Sequence, residues 1–202
     1  MDWEQLYQEG HTPWDKGAPA PPLKEWIRSN PEKMNGSVLV PGCGLGHDVH
    51  EIATSTQVAE ILGIDISPSA VESALGKSKS ERTAFELADL FNLPESHRER
   101  FDWVWEHTCF CAIDPNLRSD YVKAVHGALK PGGRLLAVFY LNPYDNEHAP
   151  GEGPPHGTCE AELKELFIES GKFEMLESYV PSESYSGREG LELTALLQKR
   201  QD

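Results

Sequence analysis

Three glycines at alternate positions make one stretch of this 202-residue sequence suited to binding a ligand through its backbone. Gly42, Gly44 and Gly46 follow the apolar run "SVLVP" (37–41). Residues without a Cβ atom adopt positive φ angles and let a ligand approach the backbone amides. A Walker loop needs Gly-Lys-Ser/Thr, and the dinucleotide pattern needs a glycine where this chain has His47. The loop therefore favours a nucleoside that carries no pyrophosphate.

Two aspartates stand where the next strands are predicted to end. Asp65, in "GIDIS", lies 19 residues after Gly46, a spacing that suits a carboxylate accepting both ribose hydroxyls. Capping of the following helix is the alternative role for Asp65. Asp89, in "LADLF", is placed to meet an adenine edge, and its alternative is an ordinary polar strand end. Taken with the glycine loop, Asp65 favours ribose binding.

Apolar runs of strand length alternate with segments of helical periodicity, which predicts βαβ units and a mainly parallel α/β sheet. Too few residues separate the last two apolar runs for a helical crossover, so these runs are expected to form an antiparallel C-terminal hairpin. An open sheet of seven strands with that tail is the Rossmann-like architecture of class I S-adenosylmethionine methyltransferases. The predicted strands are 37–41, 60–67, 83–90, 101–107, 134–140, 172–180 and 191–199, and the predicted helices are 46–55, 67–78, 117–129 (ended by "KPGG") and 160–170.

The totals favour a single domain over residues 1–202. The formal charge of −15 repels phosphate backbones, which disfavours a nucleic-acid substrate. No apolar run approaches the roughly 20 residues that span a bilayer. The N-terminus "MDWEQLYQEG" lacks the basic start and apolar stretch of a secretory signal. We therefore expect a cytosolic protein with no membrane contact, and a monomer by default.

The cysteines and histidines indicate neither a disulfide framework nor a metal centre. His47 and His50 have three-residue spacing without a carboxylate partner nearby, which is typical of a solvated helix face. The cysteines show no zinc-type Cys-x-x-Cys spacing and are expected to be reduced and to pack as small apolar residues. They are Cys43, Cys109, Cys111 and Cys159.

An ordered series of motifs resembles the thiopurine S-methyltransferase family, and within it the thiol, halide and thiocyanate methyltransferases. "DWEQLYQEGHTPWDKGAPAPPL" is similar to the N-terminal signature of that branch, and "VPGCGLGHDV" has the branch's proline before the first glycine. "LGIDIS", "FCAIDP", "LKPGG" and "GPP" before an acidic helix complete the series, which covers most of the chain. The resemblance implies S-adenosyl-L-methionine as cofactor, S-adenosyl-L-homocysteine as product, and a helical N-terminal segment (1–30) that closes over the cofactor as a lid.

The resemblance also implies roles for individual residues. Tyr7 stands where the branch commonly has a second Trp, and His107 where it commonly has Tyr or Arg. Tyr140, which ends the fifth strand, matches a position beside the transferred methyl group. The implied cofactor contacts are Trp3, Tyr7, Trp14, Gly42, Gly44, Asp65, Ile66, Asp89, Leu90 and His107.

The expected reaction is direct in-line displacement of the methyl group by a small thiol or hydrosulfide, without a covalent enzyme intermediate. Tyr140 would orient this nucleophile or form an apolar wall. The irregular segment 141–158 is predicted to be a substrate loop. Within it, His156 is the candidate base for a neutral thiol, since the reference pKa of histidine is about 6.5; a loop histidine without a function is the alternative. Halide or thiocyanate methylation, a thiopurine substrate, or a non-catalytic nucleoside-binding protein are the other functions that the sequence leaves open.

Overall fold

The computed structural model describes residues 1–78, 80–141 and 153–200. The strands in this part of the chain are β1 (Asn35–Pro41), β2 (Gln57–Asp65), β3 (Thr83–Leu87), β4 (Phe101–His107), β5 (Leu129–Tyr140), β6 (Phe173–Tyr179) and β7 (Glu192–Lys199). They form one sheet in the order β3-β2-β1-β4-β5-β7-β6. The first five strands of this order pair in parallel, whereas β7 pairs antiparallel with both β5 and β6. The predicted sheet and its C-terminal hairpin are therefore confirmed.

The described helices are α1 (Trp3–Gln8), α2 (Pro21–Ser29), α3 (His47–Ser55), α4 (Pro68–Lys77), α5 (Arg118–Ala128) and α6 (Glu160–Leu163), the last continuing as a wider π-helical stretch over Lys164–Glu169. Side-chain caps explain where two of them begin. The Asp2 carboxylate accepts a hydrogen bond from the Gln5 amide at the start of α1. The Ser67 hydroxyl accepts one from the Ala70 amide at the start of α4. Each cap satisfies an amide that has no partner within the helix.

Helices cover both faces of the sheet, which explains why the second half of β1, residues 38–41, is apolar. Successive side chains of a strand point to opposite faces. Val38 and Val40 therefore pack with residues of α2, α3 and α4, and Leu39 packs on the opposite face with residues of α5 and with Leu163 and Phe167. A strand buried on both faces carries apolar side chains on both.

Several predicted boundaries differ from those observed, such as the strand predicted over 60–67 that spans Gln57–Asp65, and two of the differences have a local reason. The strand expected over 83–90 ends at Leu87, because Asp89 accepts a hydrogen bond from the Phe91 amide and turns the chain into a 3-10 helix. The "KPGG" segment does not end a helix outside the sheet; it belongs to β5. There Leu129 pairs with Phe101, and the register then shifts. Periodicity alone does not separate the end of α5 from the start of such an irregular strand.

None of the helices in the described ranges has the length and apolar character needed to cross a membrane. The predicted helix over 160–170 is present as α6 and the π-helical stretch after it. Of the predicted substrate loop 141–158, residues 142–152 lie outside the described residues.

Candidate active site

A cavity of about 1020 Å³ lies at the carboxyl edge of the parallel strands. In open α/β sheets this edge is where ligands bind. Of the two predicted catalytic residues, His156 lines the cavity and Tyr140 does not. All the residues predicted to contact the cofactor line it: Trp3, Tyr7, Trp14, Gly42, Gly44, Asp65, Ile66, Asp89, Leu90 and His107. The structure thus brings together residues from motifs that are far apart in the sequence.

The glycine loop has a backbone that only glycine accommodates well. Gly42, Gly44 and Gly46 have φ angles of 57°, 52° and 78°. A Cβ atom on Gly44 would lie 3.0 Å from the Tyr7 hydroxyl, and one on Gly42 would lie 3.1 Å from the Cys109 sulfur. The loop therefore combines left-handed backbone with close neighbours, and its amides lie along the cavity wall.

Asp65, at the end of β2, holds the glycine loop against the start of α4. It is only 7 % exposed. One carboxylate oxygen accepts a hydrogen bond from the Gly44 amide and the other from the Ser67 amide, each at 2.9 Å. Burial raises the pKa of Asp65, and these two amide bonds oppose the rise. Because a carboxylate has about four acceptor sites, two amide bonds leave capacity for hydroxyl donors. Contact with a ribose stays a prediction.

Three aromatic residues of the N-terminal segment stand over this loop. The Trp3 and Trp14 rings meet edge to face at a centroid distance of 5.1 Å, and Tyr7 meets Trp14 in the same way at 5.6 Å. The Trp14 indole donates a hydrogen bond of 3.0 Å to the Tyr7 hydroxyl. The aromatic residues therefore support one another as a cover, which is the arrangement that the resemblance predicts.

Glu4 anchors this cover, and the sequence analysis did not single it out. Its carboxylate accepts hydrogen bonds from the Ser67 hydroxyl (2.6 Å), the Ser69 hydroxyl (2.7 Å) and the Ser69 amide (3.1 Å). These donors lie at the start of α4, where a helix dipole favours a negative charge. The hydrogen bonds lower the pKa of Glu4 to about 2, so it is ionised at neutral pH.

Asp89 lines the cavity but already has backbone and side-chain donors. Its Oδ1 accepts from the Phe91 amide at 2.9 Å and its Oδ2 from the Asn92 side chain at 2.7 Å. Asp89 therefore caps the 3-10 turn after β3, and Leu90 beside it is 7 % exposed. A contact between Asp89 and adenine stays a prediction.

His107 ends β4 between the half-buried carboxylate of Asp48 and the buried carboxylate of Glu192. Its Nδ1 lies 3.6 Å from Asp48 Oδ2, and its Nε2 lies 3.9 Å from Glu192 Oε1. Burial alone disfavours a charged imidazole, but the interactions with Asp48 and Glu192 outweigh this cost and raise the pKa of His107 to about 9. His107 is therefore an imidazolium at neutral pH.

The partners of Asp48 show that it has a structural role as well. Its carboxylate accepts hydrogen bonds from the Trp105 indole (2.8 Å) and from the Ala20 amide (2.7 Å). The pKa of Asp48 is lowered: burial opposes ionisation, and the hydrogen bond and charge of His107 prevail. Asp48 thus connects α3, β4 and the N-terminal segment while it keeps His107 charged.

Arg188 lies beside His107 at the same end of the cavity. Its Nη1 is 3.3 Å from Glu192 Oε1 and 3.4 Å from His107 Nε2. The guanidinium lies 4.8 Å from the centre of the Tyr140 ring and 5.8 Å from that of Tyr185. Tyr140 is therefore packed behind Arg188, and its predicted place beside the reacting groups stays a prediction.

A buried carboxylate fixes the loop that follows β4. Glu106 is 0 % exposed and accepts hydrogen bonds from the Phe110 amide (2.7 Å) and from the Tyr121 hydroxyl. Burial raises the pKa of Glu106 to about 7. The loop carries Thr108, which has a φ of +66°, and Cys109 on the cavity wall. Glu106 therefore stabilises a strained segment that forms part of the cavity.

His156 is held at the cavity by its backbone. Its amide donates a hydrogen bond of 2.7 Å to the Cys111 carbonyl. The Arg118 guanidinium donates to the carbonyls of His156 (3.2 Å) and Gly157 (2.9 Å), and it forms an ion pair with Glu162. His156 Nδ1 is buried and has no hydrogen-bond partner among the described residues. The role of His156 as a base stays a prediction.

The thiols at the cavity are protonated. All four cysteines are free. Burial raises the pKa of Cys111 to about 12, and it also raises the pKa values of Cys43 and Cys109. In the described ranges, no group of three or more His, Cys, Asp and Glu side chains is arranged to hold a metal ion.

Several of these residues escaped sequence analysis although they left a signal. Glu106 in "FDWVWEH" and Glu192 in "LELTALL" are acidic residues inside apolar strands, and such residues are almost never buried without a partner. Asp48 directly follows the glycine loop. The identity of their partners required the fold, because His107, Glu192 and Asp48 are far apart in the sequence.

Comparison with solved structures identifies the fold of this protein. A 1,6-didemethyltoxoflavin-N1-methyltransferase of Burkholderia thailandensis, solved with 1,6-didemethyltoxoflavin and S-adenosylhomocysteine bound, superimposes with a TM-score of 0.76 at 20% identity, covering 99% of this chain and 86% of its own. A SAM-dependent methyltransferase of Methanosarcina mazei superimposes with a TM-score of 0.70 at 23% identity, covering 87% and 98%. The fold is therefore that of the Rossmann-like S-adenosylmethionine-dependent methyltransferases.

Sequence comparison then gives the family. The thiopurine S-methyltransferase family matches residues 1–195. Probable thiol methyltransferase 2 of Arabidopsis thaliana is 34% identical over 195 residues, which cover 94% of this chain and 81% of that relative. Thiocyanate methyltransferase 1 of Brassica oleracea is 33% identical over 174 residues, covering 84% and 72%. The chain belongs to the thiopurine S-methyltransferase family, and it is an S-adenosylmethionine-dependent S-methyltransferase. The resemblance inferred from the motifs is confirmed.

Proposed function

We propose that this chain methylates a small thiol or hydrosulfide by direct in-line displacement within the cavity. The observation that carries the proposal is the continuity of that cavity, which runs from the glycine loop and Asp65 to His107 and Arg188. The likeness to plant thiol and thiocyanate methyltransferases supports sulfur as the acceptor. We further propose a cytosolic monomer of one domain that does not act on nucleic acid, in keeping with the net charge of −15.

The residues at the glycine-loop end fit an adenosyl cofactor. A Cβ atom on Gly44 would come within 3.0 Å of the Tyr7 hydroxyl, so the absence of a side chain at Gly44 lets the aromatic cover lie close to the loop. Asp65 would hold the ribose with its remaining acceptor sites, and Asp89 would reach the adenine. The aromatic faces of the cover favour a positively charged sulfonium group. When bound, S-adenosyl-L-methionine supplies an electrophilic methyl group on a good leaving group.

The chain's own contribution is alignment and exclusion of water. The aromatic cover would shield the anionic nucleophile from the hydration that deactivates it. Cys109 and Cys111 do not compete as nucleophiles, since burial raises the pKa values of both thiols well above neutral pH. This protonation supports direct transfer to the substrate over a covalent enzyme intermediate.

Two residues would act on the nucleophile, one directly and one through Arg188. His156, which lines the cavity, would accept the proton of a neutral thiol. Tyr140 would act by holding the guanidinium of Arg188, whose centre lies 4.8 Å from its ring. A hydrosulfide or thiolate needs no base, so replacing His156 by Asn is expected to slow turnover of thiols that are neutral at the assay pH more than turnover of hydrosulfide.

Release of S-adenosyl-L-homocysteine tests the proposal. The assay compares hydrosulfide, an aryl thiol, iodide, thiocyanate and a thiopurine at matched concentrations, with an Asp65→Ala variant as a control for cofactor binding. We expect the highest kcat/KM with hydrosulfide or the aryl thiol. Thiocyanate is the second candidate, because thiocyanate methyltransferases are among the relatives. Tight cofactor binding without release for any nucleophile would instead favour a non-catalytic nucleoside-binding protein.

A further inference from the structure

Arg188 lies at the far end of the cavity from the predicted ribose site. It precedes β7, whose first residue, Glu192, pairs with Tyr140 at the carboxyl edge of the sheet. The strand order along this edge runs β2, β1, β4, β5 and β7. The guanidinium of Arg188 reaches across β5 to His107 at the end of β4, which is two strand spacings, or roughly 10 Å, from β2 and Asp65. A ligand that contacts both residues must span the cavity.

The guanidinium of Arg188 is held in place but retains unused donors. Glu192 lies 3.3 Å from Nη1, and the ring of Tyr140 supports one face. A guanidinium has five N–H donors in a fixed plane. Within the part of the chain that the structure describes, Glu192 and His107 are the groups within hydrogen-bond distance, and both lie at Nη1. Because Arg188 lines the cavity, its other donors are available there to an anion.

The charged neighbours of Arg188 make a balanced cluster. His107 is held as a cation by Asp48 and Glu192, and Arg188 is paired with Glu192. Two cations and two carboxylates leave the cluster without net charge, which offsets part of the cost of removing both cations from water. An anion in the cavity then gains directed hydrogen bonds from Arg188, which are stronger than those between neutral groups.

We propose that Arg188 binds the sulfur nucleophile as an anion and so determines that the enzyme takes charged nucleophiles such as thiolate, hydrosulfide and thiocyanate. This inference rests on the proposed function and deepens it. The nucleophile is favoured over the carboxylate of the cofactor because the guanidinium lies over the ring of Tyr140, the residue predicted to lie beside the transferred methyl group.

Calorimetric titration of thiocyanate into protein saturated with S-adenosyl-L-homocysteine tests the site without turnover. The variants are Arg188→Gln, which removes the charge, and Arg188→Lys, which keeps it. Arg100→Gln is a matched control, because Arg100 also forms an ion pair with a glutamate (Glu60, 3.4 Å) and lies over an aromatic ring (Phe101, 5.1 Å), at the opposite edge of the sheet.

We expect Arg188→Gln to weaken thiocyanate binding by at least about tenfold, which corresponds to loss of a charge-assisted hydrogen bond. Arg188→Lys should lose less, and Arg100→Gln should bind as the parent protein does. In turnover, KM for hydrosulfide should rise in Arg188→Gln by more than kcat falls. A role confined to folding would not produce this separation.

Two results would overturn the assignment. Equal thiocyanate affinity in the parent protein and in a folded Arg188→Gln variant would remove Arg188 from the nucleophile site. Weaker binding of S-adenosyl-L-homocysteine, with thiocyanate binding unchanged, would assign Arg188 to the cofactor carboxylate. Thiocyanate binding that depends on Arg188, in a protein that methylates none of the tested nucleophiles, would support the anion site and contradict the proposed function.

Discussion

The two ends of the cavity are built in different ways. At the glycine-loop end, the wall is backbone in a left-handed conformation, braced by the carboxylate of Asp65. At the other end, the wall consists of charged side chains from separate elements, with His107 between Asp48 and Glu192 and Arg188 beside them. The first end uses amides that any sequence with glycine at those positions provides. The second depends on particular side chains whose charges must balance.

This contrast indicates a division of labour. A cofactor that is the same in every turnover is suited to a backbone site, because backbone geometry does not vary with side-chain substitutions. Recognition of a nucleophile is suited to side chains, since one substitution can change charge or size without moving the sheet. Four changes test whether the two ends separate in this way.

The largest effect is expected on replacing Glu106, next to the charged end, by Ala. Two buried donors, the Phe110 amide and the Tyr121 hydroxyl, would lose their acceptor. The free energy of unfolding should fall by about 2–5 kcal/mol, since each unsatisfied buried donor costs about 1–3 kcal/mol. Urea denaturation measures this. Tyr121→Phe, which removes one donor together with its bond, should cost less; a similar loss in both variants would contradict the role assigned to Glu106.

A pH dependence should distinguish the charged end from the glycine-loop end. The pKa of His107 is raised from 6.5 to about 9, so its contribution to stability is fully present below pH 6.5 and is lost as pH rises through 9. The loss should be on the order of 3 kcal/mol. Thermal or urea unfolding between pH 6.5 and 9 measures most of it, before the buried thiols, whose pKa values are also raised, add a loss of their own. A His107→Gln variant should lack this slope, and an equal slope in the variant would assign it to another group.

At acid pH the carboxylates of the same cluster should make the protein less stable as the pH falls. The pKa values of Asp48 and Glu192 are lowered: burial opposes ionisation, and their interactions with His107 prevail. Their contribution to stability is therefore present above their ordinary pKa values and is lost as pH falls below them. Glu106, with a pKa raised to about 7, adds a loss of stability as pH rises from 4.5 to 7. Measurements of the His107 slope are therefore cleanest above pH 7.

Replacing Asp65 by Ala should affect the glycine-loop end alone. Affinity for S-adenosyl-L-homocysteine should fall by about 1–3 kcal/mol, the usual loss for a charge-assisted hydrogen bond. Calorimetry measures this change, and thiocyanate affinity at saturating cofactor should be unchanged. Unchanged cofactor affinity would remove Asp65 from the binding site, whereas loss of thiocyanate affinity would show that the two ends do not act separately.

The smallest effect is expected for Glu4→Ala, which releases the aromatic cover from the start of α4. Because Glu4 makes no contact with the proposed ligands, cofactor affinity should fall only several-fold, through a less well-docked cover. The dissociation rate of S-adenosyl-L-homocysteine, measured by stopped-flow tryptophan fluorescence, should rise. Glu9→Ala is the matched control. Glu9 directly follows α1, and among the described side chains it accepts a hydrogen bond only from Gln5. Equal rates in both variants would contradict the anchoring role.

The sequence predicted the fold well because its signals are local. The alternation of apolar runs, the Ser67 cap and the glycine loop each depend on a few adjacent residues, and each is found in the structure. The predictions failed where local and tertiary preferences compete. Leu129 and Arg134, on either side of "KPGG", pair with β4, so these turn-forming residues belong to β5. The strand expected to reach residue 90 is ended by the Asp89 cap.

By itself the sequence determined the class of site, since glycine spacing and a strand-end carboxylate are short-range features, and the motifs gave the family. Only the tertiary structure decided how the charged end is assembled. Asp48, His107 and Glu192 come from α3, β4 and β7, and no spacing rule connects them. A buried carboxylate is stable only with a partner, and the order of the strands in the sheet determines which partner lies near it. The sheet order β1-β4-β5-β7 places these groups at one edge.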